Sequence, residues 1–321
     1  MTGRSHSASP PPPLRVGWLL TTFTGGLDGV TPRWDDLRSL VRLAEDAGFD
    51  SVWVPDELIW HFDDAPTLGF WESWTLVSAI AAITSRIEIG TLVSCTQYRS
   101  PALLAKMADT ADEVSGGRFT LGLGAGWSAD QFRAFGAEAD HPVDRFEEAL
   151  SIVQALLRDG HISFSGRHYK VADCVLEPRG PRPGGIPIVV GGLGPRMLRL
   201  AARHADAWSG FLVRRDLRSE IPRLRGEVDA ACRQVGRDPS SLPRMVAAMA
   251  AFGDRPVRLG PSDWTERALR GSPEEIAAQM RWLADQGVTH LQLGVLPTTP
   301  SNLERLGTAI EVLRGATDAS S

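Results

Sequence analysis

Residues 117–127 read GRFTLGLGAGW, with glycines at 122, 124 and 126 following a short run of strand-forming residues. Two readings compete for this stretch. A dinucleotide fingerprint needs Gly-x-Gly-x-x-Gly after a first strand and opening a helix, with an acidic residue about twenty positions on. Gly122 and Gly124 supply its first half, but Trp127 stands where the third glycine belongs. The other reading treats the glycines as close packing at a strand end, where they also let a flat ligand approach the backbone. The choice depends on what precedes and follows.

Working outward, apolar runs rich in β-branched and aromatic residues fall at 14–20, 51–55, 87–93, 118–123, 186–190, 207–211, 245–251 and 290–295. Between them lie segments of helical period at 34–47, 71–84, 101–114, 145–158, 195–204, 218–235, 273–286 and 301–314. Several end at glycine (Gly48, the Gly116-Gly117 pair, Gly160, Gly287), and Pro101, Pro195 and Pro273 open three of them. Eight strands each followed by a helix predict a single α/β domain, a TIM (β/α)8 barrel over residues 14–315, with its active site at the carboxyl ends of the strands. GRFTLGLGAGW then contains the fourth strand of eight, which counts against the dinucleotide reading. The interval 161–185 is too long for a turn, and its two short alternating runs around Ser165-Gly166 predict a hairpin inserted before strand five.

Composition narrows the function classes. With 43% hydrophobic and 23% charged residues the chain of 321 can bury a large core, and its formal charge of −5 offers no basic field for nucleic acid or an anionic membrane. Three cysteines, Cys95, Cys174 and Cys232, without Cys-x-x-Cys spacing indicate neither a disulfide framework nor a zinc site. No apolar run reaches a membrane span of about 20 residues, and the start lacks the apolar core of a signal peptide; a cytoplasmic location is expected. The proline-rich residues 1–13 and the last residues, 316–321, are expected to be disordered or frayed. A hydrolase would call for Gly-x-Ser-x-Gly or paired histidine ligands, and neither occurs.

Three more stretches could carry chemistry at the strand ends. VVGGLGP, residues 189–195, precedes a helix bearing Arg196, Arg199 and Arg203; backbone N–H groups of Gly191, Gly192, Leu193 and Gly194 at a helix start are suited to phosphate, although a strand-to-helix turn alone would also use glycine. VWVPDELIWH places Asp56 and Glu57 at the end of strand two, with His61 close behind. A carboxyl there serves as acid or base if burial raises its pKa, and Glu57 or His61 is the candidate; Asp56 reads equally as a solvated helix cap. GTLVSCTQYRSP leaves strand three, where Cys95, without an activating neighbour in sequence, reads as a wall residue rather than a nucleophile.

The segments AEDAGFDSVWVPD, WTLVSAIAAITSRIEIGTLVSCTQYRSPALLAKMADTADEVSGGRFTLGLGAGW, RFEEALSIVQALLRDG and IPIVVGGLGPRMLRLAARHADAW together resemble the bacterial luciferase-like superfamily of flavin and deazaflavin oxidoreductases. Within it, the chain is most similar to the group using the deazaflavin coenzyme F-420. The resemblance covers most of residues 14–210 and follows the last third loosely. It implies a cofactor lying across the strand ends and hydride transfer with a small hydrophobic or aromatic substrate. It also implies a non-proline cis peptide near Leu92-Val93 backing the ring, and cofactor contacts at Asp56, Cys95, Ala125, Gly126, Trp127 and Asp130. The phosphate loop maps to Gly191, Gly192, Leu193, Gly194 and Pro195. One position departs: many deazaflavin-dependent members carry histidine where this chain has Glu57, and His61, one turn on if the segment were helical, is the candidate substitute. The alternatives are an FMN-dependent monooxygenase served by a flavin reductase, and a non-catalytic flavin-binding relative. A homodimer is expected from family habit. Substrate contacts are expected from residues 60–69, 161–185 and 257–271.

Overall fold

The computed structural model describes residues 13–318. The disorder expected over 1–13 and the fraying expected over 316–321 fall outside the described residues except at Pro13 and at 316–318, where the last helix continues. Eight parallel strands close into a barrel: β1 Arg15–Leu19, β2 Ser51–Val54, β3 Glu88–Thr91, β4 Phe119–Gly124, β5 Ile188–Gly191, β6 Ala207–Phe211, β7 Arg244–Ala251 and β8 His290–Leu296. Each pairs with the next, and β8 pairs with β1, so no edge is left open. Each of the eight coincides with an apolar run expected from the sequence.

Period-2 alternation sorts the strand residues into two layers. Val52, Val54, Ile89, Leu121, Leu123, Ile188, Val190, Leu291 and Leu293 face outward and pack with the helices. Leu19, Trp53, Val189, Met245, Ala247 and Met249 form a separate inner cluster. Both faces are buried, which is why the strands read as continuous apolar runs. Trp53 fills the barrel centre because its neighbours have no side chain: a Cβ on Gly90 would come within 2.2 Å of its ring, and one on Gly17 within 2.8 Å of its Nε1. The indole N–H donates to Ser51 Oγ at 2.7 Å, and that oxygen lies 2.7 Å from His290 Nε2. Burial drives the His290 pKa down to about 3, so the imidazole is neutral.

The surrounding helices are α1 Trp34–Asp46, α2 Ser73–Ile83, α3 Pro101–Ser115, α4 Ala129–Ala134, α5 Pro142–Asp159, α6 Pro195–His204, α7 Leu217–Gln234, α8 Pro273–Asp285 and α9 Pro300–Asp318. Eight match the expected helices within a few residues. The short α4 was not expected. The hairpin before β5 is present as His161–Ser165 paired with Lys170–Val175. Two further small hairpins sit at the carboxyl end of the barrel, Ile59–Trp60 with Leu68–Gly69 after β2, and Arg258–Leu259 with Ser262–Asp263 after β7. Among the described residues no helix is long and apolar enough to cross a membrane, and no three side chains group as metal ligands.

Candidate active site

At the carboxyl ends of β1, β2, β3, β6, β7 and β8 lies an open cleft enclosing about 560 Å³, counted out through its mouth. Its walls are apolar, contributed by Leu19, Leu92 and Met249 below and by aromatic rings above. Glu57 is the only ionisable residue among those lining it. The two small hairpins meet over the opening: Trp60 and Trp264 have ring centroids 5.6 Å apart, and Phe62 packs beneath Gly260.

Glu57 is held by three uncharged N–H donors. Trp60 Nε1 and Gln131 Nε2 donate to Oε2 at 2.9 and 2.5 Å, and Trp127 Nε1 donates to Oε1 at 2.8 Å. Burial pushes the carboxyl above the usual glutamate range, and the bonds from Trp127, Gln131 and Trp60 pull it part of the way back. Gln131 is itself buried, and its Oε1 accepts from the backbone N–H groups of Leu58 and Ile59 at 2.8 and 3.3 Å. Those two donors demand an acceptor, so the amide nitrogen has to face Glu57. Gln131 lies on α4, whose start is capped by Ser128 accepting from the Gln131 N–H. The sequence carries a signal for this helix in the capping pattern Ser128-x-x-Gln131.

Asp56 and His61 stand differently from what the sequence suggests. Asp56 is not a solvated cap; it is buried, and protein donors consume its carboxylate. It accepts from Ser94 Oγ at 2.9 Å, the Cys95 N–H at 3.0 Å, and both ends of Arg99 at 2.7 and 3.1 Å. Arg99 also reaches Glu72 at 2.6 Å. This pins the exit of β3 to the end of β2, a positioning task, and Asp56 is not among the residues lining the cleft. His61 is not one helical turn beyond Glu57, because the segment is a hairpin. Its imidazole is exposed and bonded to Thr67 Oγ1 at 3.0 Å.

The peptide bond between Leu92 and Val93 is cis, at the position the resemblance implies. Leu92 lines the cleft, while Val93 lies across the neighbouring strand ends. A Cβ on Gly124 would meet Val93 Cγ2 at 2.5 Å, and one on Gly191 would meet Val93 Cγ1 at 3.0 Å. Gly122 faces the Thr91 carbonyl oxygen at 2.0 Å from the same hypothetical atom, and Gly126 faces Phe132 at 2.4 Å and Cys95 Sγ at 2.8 Å. The space cleared by the glycines of GRFTLGLGAGW is therefore filled by protein, chiefly the β3 exit, rather than left for a ligand. Cys95 is buried against Gly126, and burial raises its thiol to about 12, in keeping with a wall residue.

Beside Ala125 and Gly126, Trp127 is largely exposed, with its ring edge-on to Trp60 at 6.1 Å. Asp130 turns to solvent and pairs with Arg133, outside the cleft. The loop Gly191–Pro195 leads into α6 with Gly194 as an N-cap that supplies no side-chain bond. The first-turn N–H groups of Arg196 and Met197 take no acceptor among the described residues, and the space a Cβ would occupy on Gly194 is empty to 4 Å. That open helix start fits a phosphate. Arg196 does not add a free charge, since it pairs with Asp144 and with Glu147, the latter at 2.6 Å. The 161–175 hairpin folds along α5, with the Arg167, His168 and Tyr169 N–H groups on Glu148, and none of its residues lines the cleft. Leu259 and Trp264, from the expected loop after β7, do line it.

A parallel (β/α)8 barrel with an apolar cleft, one carboxyl and an open helix start at the carboxyl ends of its strands has the layout of a barrel enzyme. The chain belongs to the luciferase-like monooxygenase family, which it matches over residues 14–259. It is 30% identical over 224 residues to a 5,10-methylenetetrahydromethanopterin reductase of Archaeoglobus fulgidus, a match covering 70% of this chain and 62% of that protein's length. Its fold is similar to that of an F420-dependent secondary alcohol dehydrogenase in complex with an F420-acetone adduct, with a TM-score of 0.77 at 19% identity over 94% of this chain and all of the other. It is likewise similar to a riboflavin lyase with modified FMN and riboflavin, with a TM-score of 0.77 at 16% identity over 95% and 92% of the two chains.

Proposed function

We propose that the chain is an oxidoreductase that binds the deazaflavin coenzyme F-420 across the ends of its barrel strands and exchanges hydride with a small organic molecule in the aromatic cleft. The observation that carries this reading is the continuity of two sites through two residues. Leu92 lines the cleft, and Val93 beside it rests on Gly191, where the loop to the open start of α6 begins. A ligand with a flat ring and a phosphate tail fits that span, with the ring over Leu92-Val93 and the phosphate at Gly192, Leu193 and Gly194. Coenzyme F-420 supplies hydride transfer when bound. The protein's share is orientation and a proton: Glu57 reaches the cleft with its Oε2 fixed by Trp60 and Gln131, and burial raises its pKa, the direction that favours proton exchange by a carboxyl. The apolar walls exclude water from that exchange.

The F420 named for the alcohol dehydrogenase supports the deazaflavin, whereas the FMN named for the riboflavin lyase and a carboxyl in place of the family's histidine support the rival, a reduced-FMN monooxygenase with a reductase partner. Anaerobic titration of the full chain with F-420 and with FMN, followed by absorbance and then by exposure to air, separates them. Tight F-420 binding is expected. Tight FMN binding with oxygen consumption by the reduced complex would sink the deazaflavin reading. Glu57→Gln should keep the cofactor and lose most turnover, and unchanged turnover removes Glu57 from the proton path.

A further inference from the structure

The two neighbouring carboxylates at the end of β2 have opposite surroundings. Asp56 is fully buried and neutralised by Arg99, whose other contact is Glu72, so one cation serves two carboxylates. Glu57, next in the chain, receives only the uncharged N–H groups of Trp60, Trp127 and Gln131. No arginine, lysine or histidine lines the cleft that it faces. Each carboxylate oxygen offers two lone pairs. Oε2 has both occupied, by Trp60 and Gln131, and Oε1 has one occupied, by Trp127, leaving one site for a ligand.

The aromatic residues lining the cleft that Glu57 shares are Phe23, Trp60, Phe70, Phe211 and Trp264. The faces of aromatic rings carry negative electrostatic potential and attract cations. An anionic ligand would be repelled by Glu57. A purely apolar one would fill the cleft while stripping water from a carboxylate that has no counter-charge, which is costly. A cation satisfies both the carboxylate and the rings.

We infer that the cleft selects an organic nitrogen cation, an ammonium or iminium group carried on an apolar body, bound between Glu57 and the Trp60, Phe70 and Trp264 rings. This inference rests on the reading of the cleft as the substrate pocket and names the substrate class for it. The result is a preference set by charge, which shape alone would not produce.

Calorimetric titration of the full chain with benzylammonium and with benzyl alcohol, at neutral pH and an ionic strength of about 0.15 M, tests it. The cation should bind about tenfold or more tightly than the alcohol. Glu57→Gln should bring the two within about twofold of each other, and Trp264→Leu, which leaves the donors to Glu57 in place, should weaken the cation several-fold. Equal or tighter binding of benzyl alcohol overturns the inference, as does absence of cation binding or a preference that survives Glu57→Gln. The F-420 titration on the same preparation keeps the two proposals apart. Cation selectivity without deazaflavin binding removes the proposed cofactor and leaves the cleft's ligand class standing, and deazaflavin binding without cation selectivity does the reverse.

Discussion

Gln131→Leu isolates the contact that ties α4 to the proposed proton-exchanging carboxyl. The wild-type amide makes three bonds, accepting from Leu58 and Ile59 and donating to Glu57, from a side chain only 1% exposed. Leucine has a similar volume, so the loss is polar. Two backbone N–H groups lose their partner and Glu57 Oε2 keeps only the bond from Trp60, and a buried group left unsatisfied costs about 1–3 kcal/mol. Leu58 and Ile59 are only part-buried, so water recovers some of this, and the expected destabilisation is about 2–4 kcal/mol. Removing a donor to the charged form also moves the Glu57 titration upward. Gln131→Glu separates the two effects, because it keeps an acceptor for both backbone groups yet sets a like charge against Glu57. It should recover part of the stability and shift the titration upward again. Urea unfolding measures the first quantity. The second is read from the pH dependence of the Trp60 and Trp127 indole N–H resonances, which report directly on the carboxyl they touch. A Gln131→Leu protein within about 0.5 kcal/mol of wild type, with unmoved indole titrations, would refute the assignment of this amide as the holder of Glu57.

The remaining expectations concern the strand ends and the barrel floor. Gly124→Ala places a Cβ 2.5 Å from Val93 and should cost about 1–3 kcal/mol by overpacking, seen as a lowered unfolding temperature together with weakened cofactor binding; a neutral substitution would show that Val93 can move aside. His290 has a folded pKa of about 3 against an ordinary value of 6.5, so the unfolded chain binds the extra proton between those limits and stability falls as pH drops through that window. The contribution is about 1.4 kcal/mol per pH unit below 6.5, and His290→Gln should remove one proton from the measured slope; an unaltered slope would show the imidazole to be accessible. With its thiol at about 12 and its side chain buried, Cys95 should stay unmodified by a disulfide reagent at pH 8 while half-buried Cys174 reacts, and rapid loss of Cys95 would contradict the packing against Gly126.

What the chain discloses before folding depends on the range of the interaction involved. The eight strands and eight of the helices were legible because local pattern specifies them: β-branched runs buried on both faces, with proline and glycine as punctuation. The glycines of GRFTLGLGAGW were visible as glycines, but what each one makes room for was not. Val93 is about thirty residues from Gly124 in sequence and nearly a hundred from Gly191, and only the side-by-side pairing of β3, β4 and β5 brings all three together. The same distance hid the difference between Asp56 and Glu57. Adjacent in sequence and identical in charge, they part because Arg99, forty-three residues on, reaches one, while Gln131, seventy-four residues on, reaches the other. His61 misled for a converse reason, since a spacing of four from Glu57 has meaning only on a helix, and residues 59–69 fold as a hairpin. Chemistry at this barrel rim is thus assigned by partners supplied from distant loops and helices. A carboxyl with a cation for a neighbour becomes scaffold, and one given only neutral donors stays available to a ligand.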